Sequence, residues 1–172
     1  LPNGNLENSS LKYVRYFINY NCNILSVIKL PQDVFVHSGT GIKTSILFLE
    51  KKKSNKSDII NSKDVFFSQI TKIGFSANKT GRKIYKKDEL GNTIRDKNGN
   101  SIMDEDFSDV LLDYNNLNIK NKKKSKNSFI IKAKNFSYNR YNYEYYNPKY
   151  KQIYLNFNNQ NLFFLKDLVS IK

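Results

Sequence analysis

The chain has 172 residues, room for one hydrophobic core or little more. Apolar residues make up 39% and charged residues 26%, with a mean hydropathy of -0.63, and the abundance of Tyr, Phe and Ile excludes a chain disordered throughout. A formal charge of +14 and a pI near 9.7 favour polyanions such as nucleic acid, although A/T-rich codon usage also enriches Lys and Asn; the single cysteine, Cys22, excludes an internal disulfide framework.

No apolar run approaches the ~18–20 residues that span a bilayer, and the N-terminus lacks a basic-then-apolar signal pattern, so a membrane partner is not expected and the reducing cytoplasm is the expected compartment. Leu1-Pro2-Asn3-Gly4 reads as the tail of a strand entering a turn. Because the chain opens on Leu and its one methionine is Met103, a preceding segment is expected. From Ser9 to Tyr20 the pattern predicts an amphipathic helix, with Leu11, Val14, Phe17 and Ile18 on its apolar stripe and Asn8, Ser9 or Ser10 as N-cap. Asn21-Cys22-Asn23 ends it. Ile24 to Leu30, closed by Pro31, predicts a buried strand, and Lys43 to Glu50 a second strand after a loop bearing Gly39 and Gly41, the pair forming a hairpin.

Lys51 to Ser57 is a charged link. Val65-Phe66-Phe67 and Ile70 to Phe75 read as buried strand, with Gly74 at a turn or bulge. Turn signals crowd 81–102, among them Asn98-Gly99; no internal repeat is evident. The acidic cluster Asp104, Glu105, Asp106 departs from a calcium loop, which from Asp96 would need Gly and Glu where Ser101 and Phe107 stand, so a hairpin and then a helix from Phe107 to Tyr114 is expected and no metal. Lys120 to Ser128 is a basic linker, Phe129-Ile130-Ile131 begins new order, and Leu165 to Lys172 has strand character.

Chemistry-bearing patterns are sparse. His37, the only histidine, has no visible nucleophile or acid to work with and gives no zinc ligand set with Cys22. Gly39-Thr40-Gly41-Ile42-Lys43-Thr44-Ser45 departs from the phosphate-loop pattern and runs into a strand instead of a helix. The aromatic and basic stretch after Phe136 suits either base stacking or packing with tyrosine hydroxyls at the edge of a core, and packing is the stronger reading.

Three ordered blocks narrow the field: Leu1-Pro2-Asn3-Gly4-Asn5-Leu6-Glu7-Asn8-Ser9-Ser10-Leu11-Lys12-Tyr13-Val14-Arg15, then Ile24 to Phe35, then Ser38-Gly39-Thr40-Gly41-Ile42-Lys43-Thr44-Ser45-Ile46-Leu47-Phe48-Leu49-Glu50. Together they resemble the modification-subunit family of adenine-N6 DNA methyltransferases of type I and fused type II restriction-modification systems. The resemblance implies an α/β fold: the carboxyl-terminal part of a Rossmann-like methyltransferase sheet (strand-helix-strand-hairpin), with a mixed α+β extension. Leu1-Pro2 would end its fifth strand, Ile24 to Leu30 form its sixth, and Lys43 to Glu50 its seventh. It also implies S-adenosylmethionine as cofactor of the complete enzyme, and double-stranded DNA and specificity or restriction subunits as partners.

The family's Gly-rich cofactor turn and its Asn/Asp-Pro-Pro-aromatic motif do not occur in these residues. Catalytic and cofactor-binding residues are therefore expected upstream of Leu1, and this chain alone is not expected to bind the cofactor or to react. The alternative is a non-catalytic DNA-binding or assembly module derived from such a system. Phe35 stands where the family stacks an aromatic ring on the flipped adenine, the alternative being a plug in the sheet. Lys43, Thr44, Arg82 and Arg140 are candidate DNA-binding residues. Segments from Phe66 to Phe75, Gly81 to Tyr85 and Asp106 to Leu112 resemble the family's extension, and Arg140 to Tyr150 with Leu165 to Ile171 the entry into a target-recognition region. The expected division is 1–52 catalytic domain, 53–118 extension, 119–128 linker and 129–172 recognition region.

Overall fold

Alternation along each strand decides which residues share a face of the sheet, and β-branched and aromatic residues supply both faces. The computed structural model describes residues 1–53, 60–76, 78, 80–116, 127–150 and 152–153. Within them, β1 (Cys22–Lys29), β2 (Ser45–Lys51), β3 (Val65–Gln69) and β4 (Ser128–Ile131) form one sheet in the order β2-β1-β3-β4. β2 runs antiparallel to β1, β3 parallel to β1, and β4 antiparallel to β3, so the sheet is mixed and the architecture α/β. The helices are α1 (Asn3–Glu7), α2 (Lys12–Asn21), α3 (Phe107–Asn115) and α4 (Tyr143–Tyr146).

Helix, strand and hairpin follow as the sequence predicts, with α2, β1 and β2 in that order. Asn8 caps the 3-10 turn Ser9–Leu11 that leads into α2, its Oδ1 accepting from Ser10 N at 3.0 Å, while α2 itself has Leu11 at its N-cap and no side-chain cap bond. The connection between β1 and β2 contains a 3-10 helix, Gln32–Ser38, closed by Gly39 at φ 86. Leu1 exchanges both backbone hydrogen bonds with Ser45, at 2.8 and 2.9 Å, so Leu1-Pro2 lies along the edge of β2 that β1 leaves free. The predicted strand over Ile70 to Phe75 is instead an end: β3 stops at Gln69, and only Ile73 and Phe75 make isolated bridges, on either side of Gly74 at φ 76.

Of the apolar stripe expected on α2, Leu11, Val14 and Ile18 are partly buried and Ile18 packs against the core, but Phe17 is 67% exposed and the positions buried deepest are Arg15 and Asn19. Carbonyl acceptors explain the burial of Arg15: its Nη1 donates to Asn5 O and Asn8 O, both at 2.9 Å, and Nε donates to Tyr138 O at 3.1 Å. The guanidinium thereby ties the turn before α2 to the carboxyl-terminal segment.

One face of the sheet buries Ile24, Val27, Val65 and Phe67 under Leu6, Phe136, Tyr141, Tyr143 and Tyr146. Tyr141 is fully buried; its hydroxyl lies 2.7 Å from Arg15 O and 3.0 Å from Asn19 Oδ1, and burial pushes its pKa well above the ordinary tyrosine value. Tyr146 is pushed up to about 12 by the same cause, so both hydroxyls remain donors. These tyrosines pack, in line with the stronger of the two readings of the aromatic stretch. The other face carries Phe66 and Ile70 against Val110 of α3, with Leu30 beside them.

Residues 84–104 form a lobe of stacked hairpins, with a repeat that sequence inspection misses. Asp88-x-x-Gly91-Asn92-Thr93-Ile94 recurs as Asp96-x-x-Gly99-Asn100-Ser101-Ile102. In each turn the Asp Oδ1 accepts from the backbone N–H groups two and four residues on, and Gly91 and Gly99 take φ 85 and 84. Three hydrogen bonds close the lobe in a ring: Lys86 N to Ile102 O, Ile102 N to Ile94 O, and Ile94 N to Lys86 O, at 2.9, 3.0 and 2.9 Å. The end of the charged link at 54–57, the linker at 120–126 and the strand read at Leu165 to Lys172 lie outside the described residues.

Candidate functional site

Pro31 opens the 3-10 helix after β1, and its carbonyl accepts from Val34 N at 3.3 Å. The helix is closed by Gly39 N donating to Val36 O at 2.9 Å and Thr40 N to Phe35 O at 3.2 Å. Val34, Phe35 and His37 thereby face a cavity of about 460 Å³. Its far wall comes from Ile73, Phe75, Ser76 and Gly81, and Phe107 at the start of α3 closes a side. Phe35, Phe75 and Phe107 are each about two-fifths exposed, at 38%, 42% and 41%.

Two acidic side chains hold the far wall in register. Asp106 Oδ2 accepts from Thr71 N at 2.7 Å, Thr71 Oγ1 at 2.6 Å and Lys72 N at 2.9 Å. Burial raises its pKa, but these donors outweigh burial and hold it below the ordinary aspartate value. Glu105 accepts from Ser108 N at 3.0 Å and Ser108 Oγ at 2.6 Å, capping α3 from outside its first turn. Gly74 lets this wall pack tightly, since a Cβ there would stand 2.6 Å from Met103 Cε.

A second cavity, about 250 Å³, opens over the same face of the sheet between Ile28, Ile46, Phe48 and the α3 residues Val110, Leu111 and Tyr114; Phe107 borders both. At its edge the Ser26 hydroxyl is buried with no hydrogen-bond partner among the described residues.

Both linings are aromatic and aliphatic, with His37, Ser76, Ser26 and the Tyr114 hydroxyl as the polar side chains. Such walls suit a flat, largely apolar group. They do not fit S-adenosylmethionine: neither lining offers a carboxylate for ribose hydroxyls or a Gly-rich turn opening a helix. Among the described residues no hydrogen bond joins His37 to a hydroxyl, thiol or carboxylate, so a nucleophilic triad is not assembled there.

Phe35 therefore stands at the larger cavity, and Arg82 follows Gly81 of its lining. Lys43 is exposed, with its carbonyl accepting from Asn3 N at 2.9 Å, whereas Thr44 buries its hydroxyl with no hydrogen-bond partner among the described residues. Arg140 lies apart from these. Its guanidinium sits 5.9 Å from the Tyr145 ring centroid, on the segment covering the opposite face. Phe75 and Phe107 were not singled out from sequence, where they are indistinguishable from core residues.

A family model for N-6 DNA methylases matches residues 1–152. Among solved structures the chain is similar to one from work titled on the structural basis of complex assembly and conformational transition of the type I R-M system, at 18% identity and a TM-score of 0.45. That match covers 77% of this chain and 24% of the other, so the chain spans about a quarter of the length of the protein it resembles there. No curated protein matches the sequence.

Proposed function

Since the chain belongs to the N-6 DNA methylase family, we propose that it is the part of an S-adenosylmethionine-dependent DNA adenine-N6 methyltransferase, within a restriction-modification system, that receives the extruded adenine. The observation that carries this reading is the 460 Å³ cavity with Phe35 on its rim. Its volume falls in the range of about 300–1,000 Å³ usual for small-molecule sites, and apolar walls suit a base that has left its stack.

Phe35 would replace the lost stacking at about 1–3 kcal/mol per base, while the surrounding apolar side chains exclude water from the amine to be methylated. The bound cofactor supplies the methyl group. The residues that hold it and those that act on the adenine amine belong, in this proposal, to polypeptide outside these 172 residues. Arg82 would meet DNA near the cavity, the exposed Lys43 on the connection between β1 and β2, and Arg140 at the opposite face, whereas Thr44, with its hydroxyl buried, would act only by holding Lys43 in place. Residues 1–52 are assigned to the catalytic sheet, 53–118 to an extension and 119–128 to a linker. The recognition region assigned to 129–172 would then start docked on the sheet, because β4 pairs with β3.

The reading is tested with a duplex carrying one adenine opposite an abasic site, which removes most of the cost of extrusion. By fluorescence anisotropy the chain is expected to bind it about tenfold more tightly than the same duplex with the adenine also made abasic. Phe35→Ala should abolish that preference and Phe35→Trp should keep it. Equal affinity of the unsubstituted chain for the two duplexes would overturn the reading.

A further inference from the structure

Along α2 the usual order of an amphipathic helix is partly reversed. Arg15 and Asn19 are buried, while Tyr13, Tyr16, Phe17 and Tyr20 recur at i, i+3, i+4 and i+7 on the side that meets solvent. Tyr13 and Phe17, the most exposed of the four, stand one turn apart, about 6 Å along the axis. The ring planes of Tyr16 and Tyr20 differ by only 21° at a centroid distance of 6.2 Å, so the stripe presents flat ring faces and not interlocking knobs. Tyr138, edge-on to Tyr16 at 5.7 Å, widens it.

Cations close both ends of the stripe. Lys12 Nζ lies 5.2 Å from the Tyr138 ring centroid. At the other end Lys52 N donates to Asn21 O at 2.9 Å and its Nζ to Asn19 O at 2.6 Å, which draws the exposed Lys51 and Lys53 to the last turn of α2. The helix itself contains no acidic residue, and Glu50, near the end of β2, is paired with Lys63 at 2.8 Å. A second copy docked here would set cations against cations whether the two helices ran parallel or antiparallel. The charge therefore calls for an anionic occupant.

We propose that this face of α2 is a stacking platform for single-stranded DNA, with bases lying on Tyr13 and Phe17 and phosphates held by Lys12 at one end and by Lys51 and Lys53 at the other. Flat rings beside cations suit a strand whose bases are free, because every base offers a π-face and every nucleotide a charge. Duplex DNA does not fit, since its bases stack on one another at about 3.4 Å and their faces are covered. The site is separate from the base pocket: Ile18 of α2 packs on the first face of the sheet, whereas Val34 and Ile73 of the cavity lining pack on the other. A molecule holding duplex at the cavity would thereby retain an unpaired stretch at its opposite face.

The test titrates the whole 172-residue chain into fluorescein-labelled oligo(dT) of about 16 nucleotides and into a duplex of the same length, read by anisotropy. Tyr13→Ser combined with Phe17→Ser is expected to weaken oligo(dT) binding about tenfold or more and to leave duplex affinity unchanged, whereas Tyr13→Phe combined with Phe17→Tyr should keep both. Both positions are exposed, so the melting temperature should not move with either pair. An oligonucleotide carrying 5-iododeoxyuridine should crosslink under ultraviolet light to residues between 13 and 20. Unchanged oligo(dT) affinity in the double serine variant would overturn the assignment, as would an equal loss on duplex. Polyglutamate that binds as tightly and with the same dependence on the two rings would give the face to an acidic polypeptide instead. Sedimentation velocity showing self-association that the serine pair abolishes would give it to a second copy, again against single-stranded DNA.

Discussion

Tyr141→Phe is the sharpest test of how the two ends of this chain are knit together. The ring is fully buried against the sheet, and its hydroxyl reaches Arg15 O and Asn19 Oδ1 on α2. Removing the oxygen keeps the apolar area and deletes a net hydrogen bond, about 1 kcal/mol, while a buried acceptor left short of its donor costs about 1–3 kcal/mol. A loss of about 1–3 kcal/mol is expected, which for a domain of this size lowers Tm by roughly 2–12 °C. The assay is urea unfolding followed by far-UV circular dichroism, with Tyr13→Phe as control. Tyr13 is 69% exposed, so its hydroxyl should matter by no more than about 0.5 kcal/mol. If Tyr141→Phe matches Tyr13→Phe, the carboxyl-terminal segment does not hold α2 in the way described.

Acid should loosen the hairpin lobe. Asp88 and Asp96 both have pKa values lowered, chiefly by the backbone N–H of Asn92 and of Asn100, from an ordinary value of 3.8. A lowered folded pKa gives stability that is present above the unfolded value and lost as pH falls through the folded one. Amide protection at Asn92 and Asn100 is therefore expected to hold at neutral pH and decay below about pH 4, and decay centred near neutrality would contradict the carboxylate assignment. Gly74→Ala places a Cβ at φ 76, a strain of about 1–2 kcal/mol, against Met103; a neutral effect in thermal melting would show that the turn is not as described. Binding to duplex without an unpaired base should be weak and fall steeply between 50 and 200 mM salt, as counterion release by lysines requires, and a salt-independent affinity would count against a phosphate-led interface.

Much of the first fifty residues was legible because local signals agree with one another. Asn8 caps, Asn21 stops α2, Pro31 and Gly39 punctuate, and the apolar runs between them have strand length. α3 was legible for the same reason. The parallel pairing of β1 with β3 was not, since nothing local specifies the register of strands joined through a long crossover. Arg15 defied the pattern because burial of a charge depends on carbonyls supplied by residues 5, 8 and 138, and the last of these is distant in sequence. The lobe's repeat hid in turn chemistry, with only Asp, Gly, Asn and Ile recurring. At the cavity, Phe35 was singled out through family resemblance, while Phe75 and Phe107 carried no signal, because a phenylalanine that borders a void reads like one that fills it.

The cover over the first face of the sheet also sets a schedule for synthesis. Val27 leaves the ribosome early, but Tyr141 and Tyr146, which close over it, are made more than a hundred residues later. At about 5–20 residues per second that interval is roughly 6–24 s, far longer than the microseconds in which a hairpin forms. The β1–β2 hairpin therefore exists for seconds with one apolar face open to other nascent chains. Folding yield should depend on holdase chaperones during that window, and codon changes that slow translation between residues 53 and 127 should lower it.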